Sequence, residues 1–231
     1  MTLPLQYNIL LLVIKQGEVL TAGQIQAAEG FVVFEGLDGA GTTTQIEALF
    51  YKLTGNSIPV FSTCEPTDSP IGRTIRDVLG KKTAVTPDTL ALLFAADRNE
   101  HLWGKDGIID HLERGDIVLC DRYIFSSLAY QTLESSREFV WELNSRFPLP
   151  EYLFFIDVPP EECQSRMKVR GTSDIFDKIT FQYKIRQAYL DTFRAFETSG
   201  METHLIDGTG SVEEVQEKIW NILGKGTILN T

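Results

Sequence analysis

The stretch EGLDGAGTTTQ, residues 35–45, has the residue types and spacing of a phosphate-binding loop. Gly36 and Gly41 are separated by four residues, as in the Walker A pattern, and Thr43 fills the position of the hydroxyl that contacts magnesium. Thr42 stands where that pattern has lysine. Backbone N–H groups of such a turn, and of the helix that follows, bind anions without any side chain. The loop therefore still predicts phosphate binding, and a glycine turn without a ligand is the alternative.

Short strands alternate with longer helices along the chain around this loop. Apolar, β-branched and aromatic runs predict five strands, at 31–35, 59–63, 116–120, 152–158 and 203–207. The helical stretches between and after them are 43–53, 71–79, 89–112 with a loosened end around Gly104 and Gly107, a stretch that ends at 170, 176–198 and 212–223. The strands lack polar alternation, which indicates parallel strands covered on both faces. The predicted fold is therefore α/β, a P-loop NTPase-type three-layer fold with a five-stranded parallel sheet flanked by helices.

Composition restricts the classes of protein and of partner. Of the 231 residues 43% are hydrophobic, which supports a folded core and excludes global disorder, and the formal net charge is −11. That charge argues against a nucleic-acid partner, because a phosphate backbone requires clustered Lys and Arg. The apolar run Ile9–Ile14 is too short to span a bilayer, so no membrane partner is expected. The cysteines lack metal-ligand spacing, which favours a reducing cytoplasm.

Three further segments carry a resemblance to a known family. DRYIFSSLAYQ (121–131) follows the third predicted strand, LLFAADRNEHL (92–102) lies on the long helical stretch, and EPTDSPIGRTIRDVL (65–79) follows the second strand. With FEGLDGAG ahead of them, in this order and spacing, they resemble thymidylate kinases, and the resemblance extends over 31–223. It implies phosphorylation of dTMP to dTDP by ATP and Mg²⁺, a step of dTTP synthesis. It also implies a homodimer.

The base of dTMP is expected to bind beside the long helix. Phe94 and Arg98 are four residues apart and share one helix face. A ring beside a guanidinium suits a pyrimidine, and the resemblance implies that Phe94 stacks on the base while Arg98 donates to a base carbonyl. The alternative places Phe94 in the core and Arg98 in a surface ion pair. The resemblance also implies that Ser127 and Gln131 face the base, with a structural role as the alternative.

The phosphates and sugar are expected to bind near the carboxyl ends of the strands. The resemblance assigns Arg122 to the phosphoryl groups, Asp121 with Thr43 to the magnesium neighbourhood, and Asp38 to the nucleoside 3′-hydroxyl and the metal. Two further implied dTMP contacts are Arg76 to the acceptor phosphate and Tyr130 against the sugar 2′ position. The residues predicted to bind the ATP phosphates are Gly36, Leu37, Asp38, Gly39, Ala40, Gly41, Thr42, Thr43 and Thr44.

The sequence departs from the family pattern at three expected cations. Besides the loop lysine, the arginine that commonly precedes the Glu-Pro pair is Cys64, and the lid reads DIF at 174–176 where an arginine is usual. Arg166 and Arg170 are four residues apart at the end of the helix that leads to the lid. Our hypothesis is that one or both, with Arg122, supply the missing charge. The predicted catalytic residues are Asp38, Arg122, Arg166 and Arg170.

The domain division and two alternatives of function stay open at this stage. Residues 1–29 are treated as an N-terminal extension of unknown role, in which a helix–turn–helix fragment is one interpretation, and 30–231 as the kinase-like domain with a short lid around 166–178. An accessory element, a misassigned start and a targeting signal are all open for the extension. The alternatives to an active dTMP kinase are a catalytically impaired nucleotide-binding protein and a related deoxynucleoside or nucleoside-monophosphate kinase.

Overall fold

The structure is a computed structural model that describes residues 13–15, 18–20, 27–168, 176–226 and 228–229. A five-stranded, wholly parallel sheet flanked by helices forms the body of the protein. The predicted fold class is therefore confirmed. Among the described residues, no helix combines the length and apolar character needed to cross a bilayer.

Two short strands precede the main sheet. Val13–Lys15 (β1) and Glu18–Leu20 (β2) pair antiparallel, with Val13 opposite Leu20. The interpretation of this segment as a helix–turn–helix fragment is therefore wrong for these residues, while 1–12, 16–17 and 21–26 lie outside the described residues. The two strands read VIK and EVL, and the β-branched residues in both favour a strand.

The main sheet has the strand order β4-β5-β3-β6-β7, and every neighbouring pair is parallel. Its strands are Ala28–Gly36 (β3), Val60–Cys64 (β4), Ile117–Asp121 (β5), Pro150–Asp157 (β6) and Glu202–Asp207 (β7). Each overlaps a predicted strand. Residues 31–34 of β3 are fully buried, as are 118–120 of β5, so the apolar runs are explained by helices that cover the sheet. The central position of β3 brings the ends of β5 and β6 to either side of the loop that follows it.

The predicted helical stretches all overlap helices of the structure, with one division, and two further α-helices lie between the third and fourth predicted strands. They are Thr42–Gly55 (α1), Pro70–Leu79 (α2), Pro87–Trp103 (α3), Ile108–Glu113 (α4), Ile124–Tyr130 (α5), Arg137–Asn144 (α6), Pro160–Lys168 (α7), Phe176–Ala195 (α8) and Val212–Leu223 (α9). The long stretch predicted at 89–112 is divided into α3 and α4. Gly104 ends α3 in an extended conformation and Gly107 begins α4, as the loosening around these glycines indicated.

Candidate active site

The loop between β3 and α1 makes a tight turn that depends on two glycines. Gly39 and Gly41 have φ angles of +89° and +99°, a region that residues with a Cβ rarely adopt. The N–H of Ala40 donates to the carbonyl of Leu37 at 2.9 Å. A Cβ on Gly39 would lie 2.5 Å from the carbonyl oxygen of Cys163. The helix α7, which carries Cys163, therefore packs directly on the loop.

The first turn of α1 presents backbone N–H groups without a side-chain cap. Gly41 precedes the helix, makes no capping hydrogen bond with a side chain, and no acidic residue lies in the first turn. By contrast, Ser69, Thr86 and Ser211 each accept a backbone N–H at the start of α2, α3 and α9. The N–H groups that open a helix have no intrahelical partner and lie at the positive end of its dipole. Together with the loop they have the arrangement that suits a bound anion.

A cleft of about 620 Å³ opens over the loop. It is lined by residues 37–45 of the loop and α1, by Asp121 and Arg122 at the end of β5, by Arg166 on α7, and by Val212 at the start of α9. The structure thus brings the predicted phosphate-binding residues 37–44 together with the predicted metal ligands and two predicted catalytic arginines. Gly36 leads into the cleft from β3.

Arg166 contacts the phosphate loop in which Thr42 stands at the position of the missing lysine. Thr42, which fills that position, is buried and uncharged. The Nη1 of Arg166 donates to the carbonyl of Ala40 at 3.1 Å, and its Nη2 donates to the carbonyl of Gly208 at 2.9 Å and to the carboxylate of Glu162 at 2.6 Å. The guanidinium therefore connects the phosphate loop to the segment between β7 and α9.

Part of the predicted lid falls outside the described residues. The structure does not describe residues 169–175, and Arg170, predicted as catalytic, lies in that stretch. Arg166 is the described member of the predicted arginine pair, and Arg170 stays a prediction.

Arg122 connects the end of β5 to the phosphate loop. Its Nη2 donates to Asp38 Oδ1 at 2.6 Å, and its backbone N–H donates to the carbonyl of Phe34 at 2.9 Å. Arg122 has a φ of +71°, and such a conformation costs a residue other than glycine about 1–3 kcal/mol. The ring of Tyr130 has its centroid 5.8 Å from the guanidinium carbon. Burial raises the pKa of Tyr130 to about 12, so its hydroxyl is neutral at ordinary pH.

Glu35 is a buried carboxylate beside Arg122 that sequence reasoning missed. It is 0% exposed, and its Oε1 accepts the backbone N–H groups of Tyr123 and Ser126 at 2.9 and 3.0 Å. Its Oε2 accepts the hydroxyls of Ser126 and Tyr189 at 2.7 and 2.8 Å. Burial raises the pKa of Glu35, and the charge of Arg122 and these hydrogen bonds oppose part of that rise. The sequence did contain a signal, since Glu35 is a charged residue at the end of a strand predicted to be covered on both faces. A buried charge requires hydrogen-bond partners, which indicates a polar network at this position.

Thr43 and Asp121 provide oxygens that suit a divalent cation. The hydroxyl of Thr43 donates to Asp121 Oδ2 at 2.6 Å, while Asp121 Oδ1 is buried without a hydrogen-bond partner. Mg²⁺ is commonly bound by one or two protein oxygens together with substrate phosphates. Within the described part of the chain, no three His, Cys, Asp or Glu side chains cluster to hold a metal by themselves. The two residues therefore fit an Mg²⁺ ion that is shared with a bound nucleotide.

Arg98, on α3, is held in a buried polar network with Glu65, which follows β4, and with side chains of α5 and α6. It is 1% exposed. Its Nε donates to Glu65 Oε2 at 2.8 Å, its Nη1 to Asn144 Oδ1 at 2.5 Å, and its Nη2 to Ser127 Oγ at 3.2 Å. A surface ion pair, the alternative for Arg98, is therefore wrong, because its ion pair with Glu65 is buried. Arg98 and Ser127, both predicted to contact the base, are in direct contact.

The other residues predicted to face the base lie near this network but outside the lining of the phosphate cleft. Phe94 precedes Arg98 by one turn of α3 and is half-buried. Gln131 follows α5, and its Oε1 is buried without a hydrogen-bond partner. Their roles toward the base stay predictions.

The connection between β4 and α2 is fixed from two sides. Asp97, a buried residue of α3, accepts the N–H and the hydroxyl of Thr67 at 2.7 and 2.6 Å, and the hydroxyl of Ser69 at 2.8 Å. Arg76, predicted to bind the acceptor phosphate, donates to the carbonyls of Thr67 and Pro66 at 2.5 and 2.6 Å. Sequence reasoning missed Asp97, since an aspartate next to a predicted base-binding arginine gives no separate signal.

Comparison with known proteins gives one consistent result. A family model described as thymidylate kinase matches residues 34–219. A putative thymidylate kinase of Treponema pallidum (strain Nichols) is 47% identical over 192 residues, which cover 82% of this chain and 92% of the relative. A probable thymidylate kinase of Pyrococcus abyssi is 40% identical over 196 residues, 82% of this chain and 93% of the relative. One from Methanococcus vannielii is 44% identical over 160 residues, 69% of this chain and 75% of the relative.

Proposed function

Because this chain belongs to the thymidylate kinase family, we propose that it transfers the γ-phosphoryl group of ATP to dTMP and releases ADP and dTDP. The observation that carries this proposal is the cleft in which the anion-binding loop, the Thr43–Asp121 pair and two arginines meet. Phosphoryl transfer relies on positioning and on charge neutralisation rather than on covalent chemistry. The cleft contains groups suited to both tasks.

In this reaction the charge of the absent lysine comes from Arg166 and Arg122, with Arg170 as a third candidate. Arg166 contacts the loop carbonyl of Ala40, and Arg122 contacts Asp38 of the same loop. Guanidinium groups bind phosphate oxygens through paired hydrogen bonds, which a threonine cannot replace. Both arginines lie within reach of an anion bound to the N–H groups of the loop, and this placement supports the assignment.

The acceptor nucleotide binds between α3, α5 and the loop. Phe94 stacks on the thymine, and Arg98 donates to a base carbonyl next to Ser127 and Gln131. The contact between Arg98 and Ser127 supports a shared pocket for these side chains. The other proposed contacts to dTMP are those of Arg76 with the phosphate, Tyr130 with the sugar 2′ position, and Asp38 with the 3′-hydroxyl.

Thr43 and Asp121 hold the Mg²⁺ ion that accompanies ATP. When bound there, the ion supplies positive charge to the phosphate oxygens. The unpartnered Oδ1 of Asp121 and the adjacent hydroxyl of Thr43 support this assignment.

The chain needs no general base for this transfer. A phosphate monoester has its second pKa near 6, so the acceptor phosphate of dTMP is already an anionic nucleophile at neutral pH. The task of the side chains is to bring two anions together and to neutralise them. The arginines and the loop N–H groups suit that task.

A homodimer and a cytoplasmic location complete the proposal. Leu92 and Trp103, both on α3, are about half exposed, and a second copy of the chain would cover such apolar residues. All three cysteines are free thiols, as in proteins of a reducing compartment. Light scattering of the purified chain tests the dimer.

The test is ADP release from the purified full chain with ATP and Mg²⁺. The acceptors are dTMP, dUMP, dCMP, UMP and thymidine, and a Thr42→Lys variant is measured in parallel. We expect turnover of the unmodified chain with dTMP above the other acceptors. If the unmodified chain binds dTMP but only Thr42→Lys turns it over, the proposed activity is contradicted. A higher turnover with another acceptor would contradict dTMP as the substrate.

A further inference from the structure

The guanidinium of Arg122 has a second set of contacts besides Asp38. Its Nη1 donates to Ser126 Oγ and to the hydroxyl oxygen of Tyr189, both at 3.2 Å. An arginine carries only donors, so each contact requires an oxygen with a free lone pair facing it. The position of Arg122 therefore depends on where these two hydroxyl protons point.

Glu35 determines the direction of both protons. Each hydroxyl has one proton to donate, and the oxygens of Ser126 and Tyr189 are 2.9 Å apart. Both hydroxyls donate to the same oxygen, Oε2 of Glu35. Because the carboxylate accepts both protons, both hydroxyl oxygens present lone pairs to Arg122. Without this acceptor, one of the protons would be free to turn toward the guanidinium and repel it.

The other oxygen of Glu35 holds the backbone on the far side of Arg122. Oε1 accepts the N–H group of Tyr123, the residue after Arg122, and that of Ser126, four residues after it. Those bonds hold the chain where Arg122 adopts its left-handed conformation. Glu35 itself lies on the central strand β3, one residue before the phosphate loop. One carboxylate thus connects the loop to both the backbone and the side chain of Arg122.

We propose that Glu35 is a positioning residue for phosphoryl transfer, which through Ser126 and Tyr189 fixes Arg122 relative to the phosphate loop. The inference rests on the proposed function, in which Arg122 neutralises charge on the phosphoryl groups. Glu35 has no contact with the nucleotide in this role. It acts entirely through Arg122.

The main test is the isosteric variant Glu35→Gln. Its amide oxygen keeps the two backbone N–H groups, so its NH₂ group faces Ser126 and Tyr189 and donates to them. We expect kcat to fall about 100-fold, as for a misplacement near 1 Å, with a smaller change in the KM values for ATP and dTMP. The matched control is Glu151→Gln, which alters a carboxylate that accepts the N–H of Gly30 at the opposite end of β3. The control should keep full turnover.

Two further variants separate positioning from a structural role. In an Arg122→Ala background, Glu35→Gln should cause no additional loss of kcat, because its effect passes through the missing side chain. Equal losses in both backgrounds would overturn the proposal. If Glu35→Gln does not fold, Tyr189→Phe removes one acceptor of Arg122 and leaves Glu35 in place. It should lower kcat less than Arg122→Ala does, and an unchanged kcat would again overturn the proposal.

Crystal structures distinguish failure of this inference from failure of the proposed function. No transfer to dTMP by the unmodified chain would contradict the function alone. The position of Arg122 is then compared between the unmodified chain and Glu35→Gln. Loss of the Nη1 contacts in the variant supports the positioning role, and identical contacts would exclude it.

Discussion

The hydroxyl of Thr43 lies 2.6 Å from Oδ2 of Asp121, although the two residues are 78 positions apart. Thr43 belongs to the first turn of α1 and Asp121 ends β5. They meet because β3 and β5 are neighbouring parallel strands, so their carboxyl ends lie at one edge of the sheet. This contact lies where we propose that a cation and the phosphates of ATP bind.

Removing either oxygen should raise the Mg²⁺ requirement of the enzyme. We expect Thr43→Ala and Asp121→Asn each to lower kcat about 100-fold, as for other losses of transition-state charge stabilisation, with partial recovery at higher Mg²⁺. The measurement is turnover against Mg²⁺ concentration. Thr43→Ser keeps the hydroxyl and serves as the control. A normal Mg²⁺ curve for Asp121→Asn would show that the ion binds elsewhere.

Replacing Arg166 should impair transfer more than binding. Arg166→Ala removes a guanidinium that contacts the loop at Ala40, and we expect kcat to fall about 10²–10³-fold. Arg166→Lys should recover part of the loss, since the charge is kept but the paired geometry is not. Arg194, whose ion pair with Asp191 is exposed, provides the control Arg194→Ala. Unchanged turnover of Arg166→Ala would refute the role given to this arginine.

The contact between α7 and the phosphate loop can be tested at Gly39. The Gly39→Ala variant places a Cβ on a residue with positive φ and brings that Cβ too close to the carbonyl oxygen of Cys163. Gly115→Ala has a similar φ of +85° but no atom within 4 Å of its added Cβ. We expect both to lose about 1–2 kcal/mol from the backbone conformation, and Gly39→Ala about 1–3 kcal/mol more from overpacking. Urea unfolding measures the loss in the free energy of unfolding for each variant. Equal losses would mean that α7 moves away from the added Cβ at no cost in stability.

The buried ion pair of Glu65 and Arg98 should be costly to break. Their side chains are 3% and 1% exposed, so Glu65→Gln leaves a buried positive charge without its partner. We expect a loss of about 3–5 kcal/mol in the free energy of unfolding. Asp77→Asn, at an exposed pair with Lys82, should lose at most about 1 kcal/mol. Similar denaturation midpoints for the two variants would contradict the buried network.

Because burial raises the pKa of Glu35, the stability of the fold should depend on pH, and the direction of that dependence follows from the shift. Burial raises this pKa above its ordinary value of 4.5, and the ionisable groups around it are Arg122, Tyr130, Tyr189 and Cys120. The folded chain then binds the proton more tightly than the unfolded chain does. The associated stability is fully present below the unfolded pKa and is lost as the pH rises through the folded pKa.

The unfolding free energy of the unmodified chain should therefore fall relative to that of Glu35→Gln as the pH rises above 4.5. The rate of transfer should change in the opposite direction, because the positioning role requires the carboxylate. Denaturant unfolding and kcat measured over the same pH series test both expectations. A difference in unfolding free energy that does not vary with pH would show that the pKa is not raised.

The strands and the phosphate loop could be predicted because their signals are local. The run at 31–35 identifies β3 by residue type alone, and Gly104 with Gly107 marks the break between α3 and α4. In the N-terminal segment the same reasoning failed, since Val13–Lys15 and Glu18–Leu20 are strands too short for a periodic pattern.

The buried polar partners could not be predicted, because they depend on topology. Glu35 and Tyr189 are 154 positions apart, and Arg98 and Asn144 are 46 apart. No spacing along the chain relates them. They meet only once α8 has packed on α5 and α6 has packed on α3. The resemblance to thymidylate kinases identified the residues expected to touch substrate, and it gave no account of the residues that hold them.

The central position of β3 has a consequence for folding. The cleft is assembled from the ends of Ala28–Gly36, Ile117–Asp121 and Pro150–Asp157, three segments widely separated along the chain. A partly folded chain in which these strands have not paired has no such cleft, so a nucleotide would bind the native state alone. Nucleotide binding then stabilises the fold by mass action, by about 2.7 kcal/mol at a concentration one hundred times the Kd. The supply of substrate would in this way control how long the protein survives, as well as how fast it works.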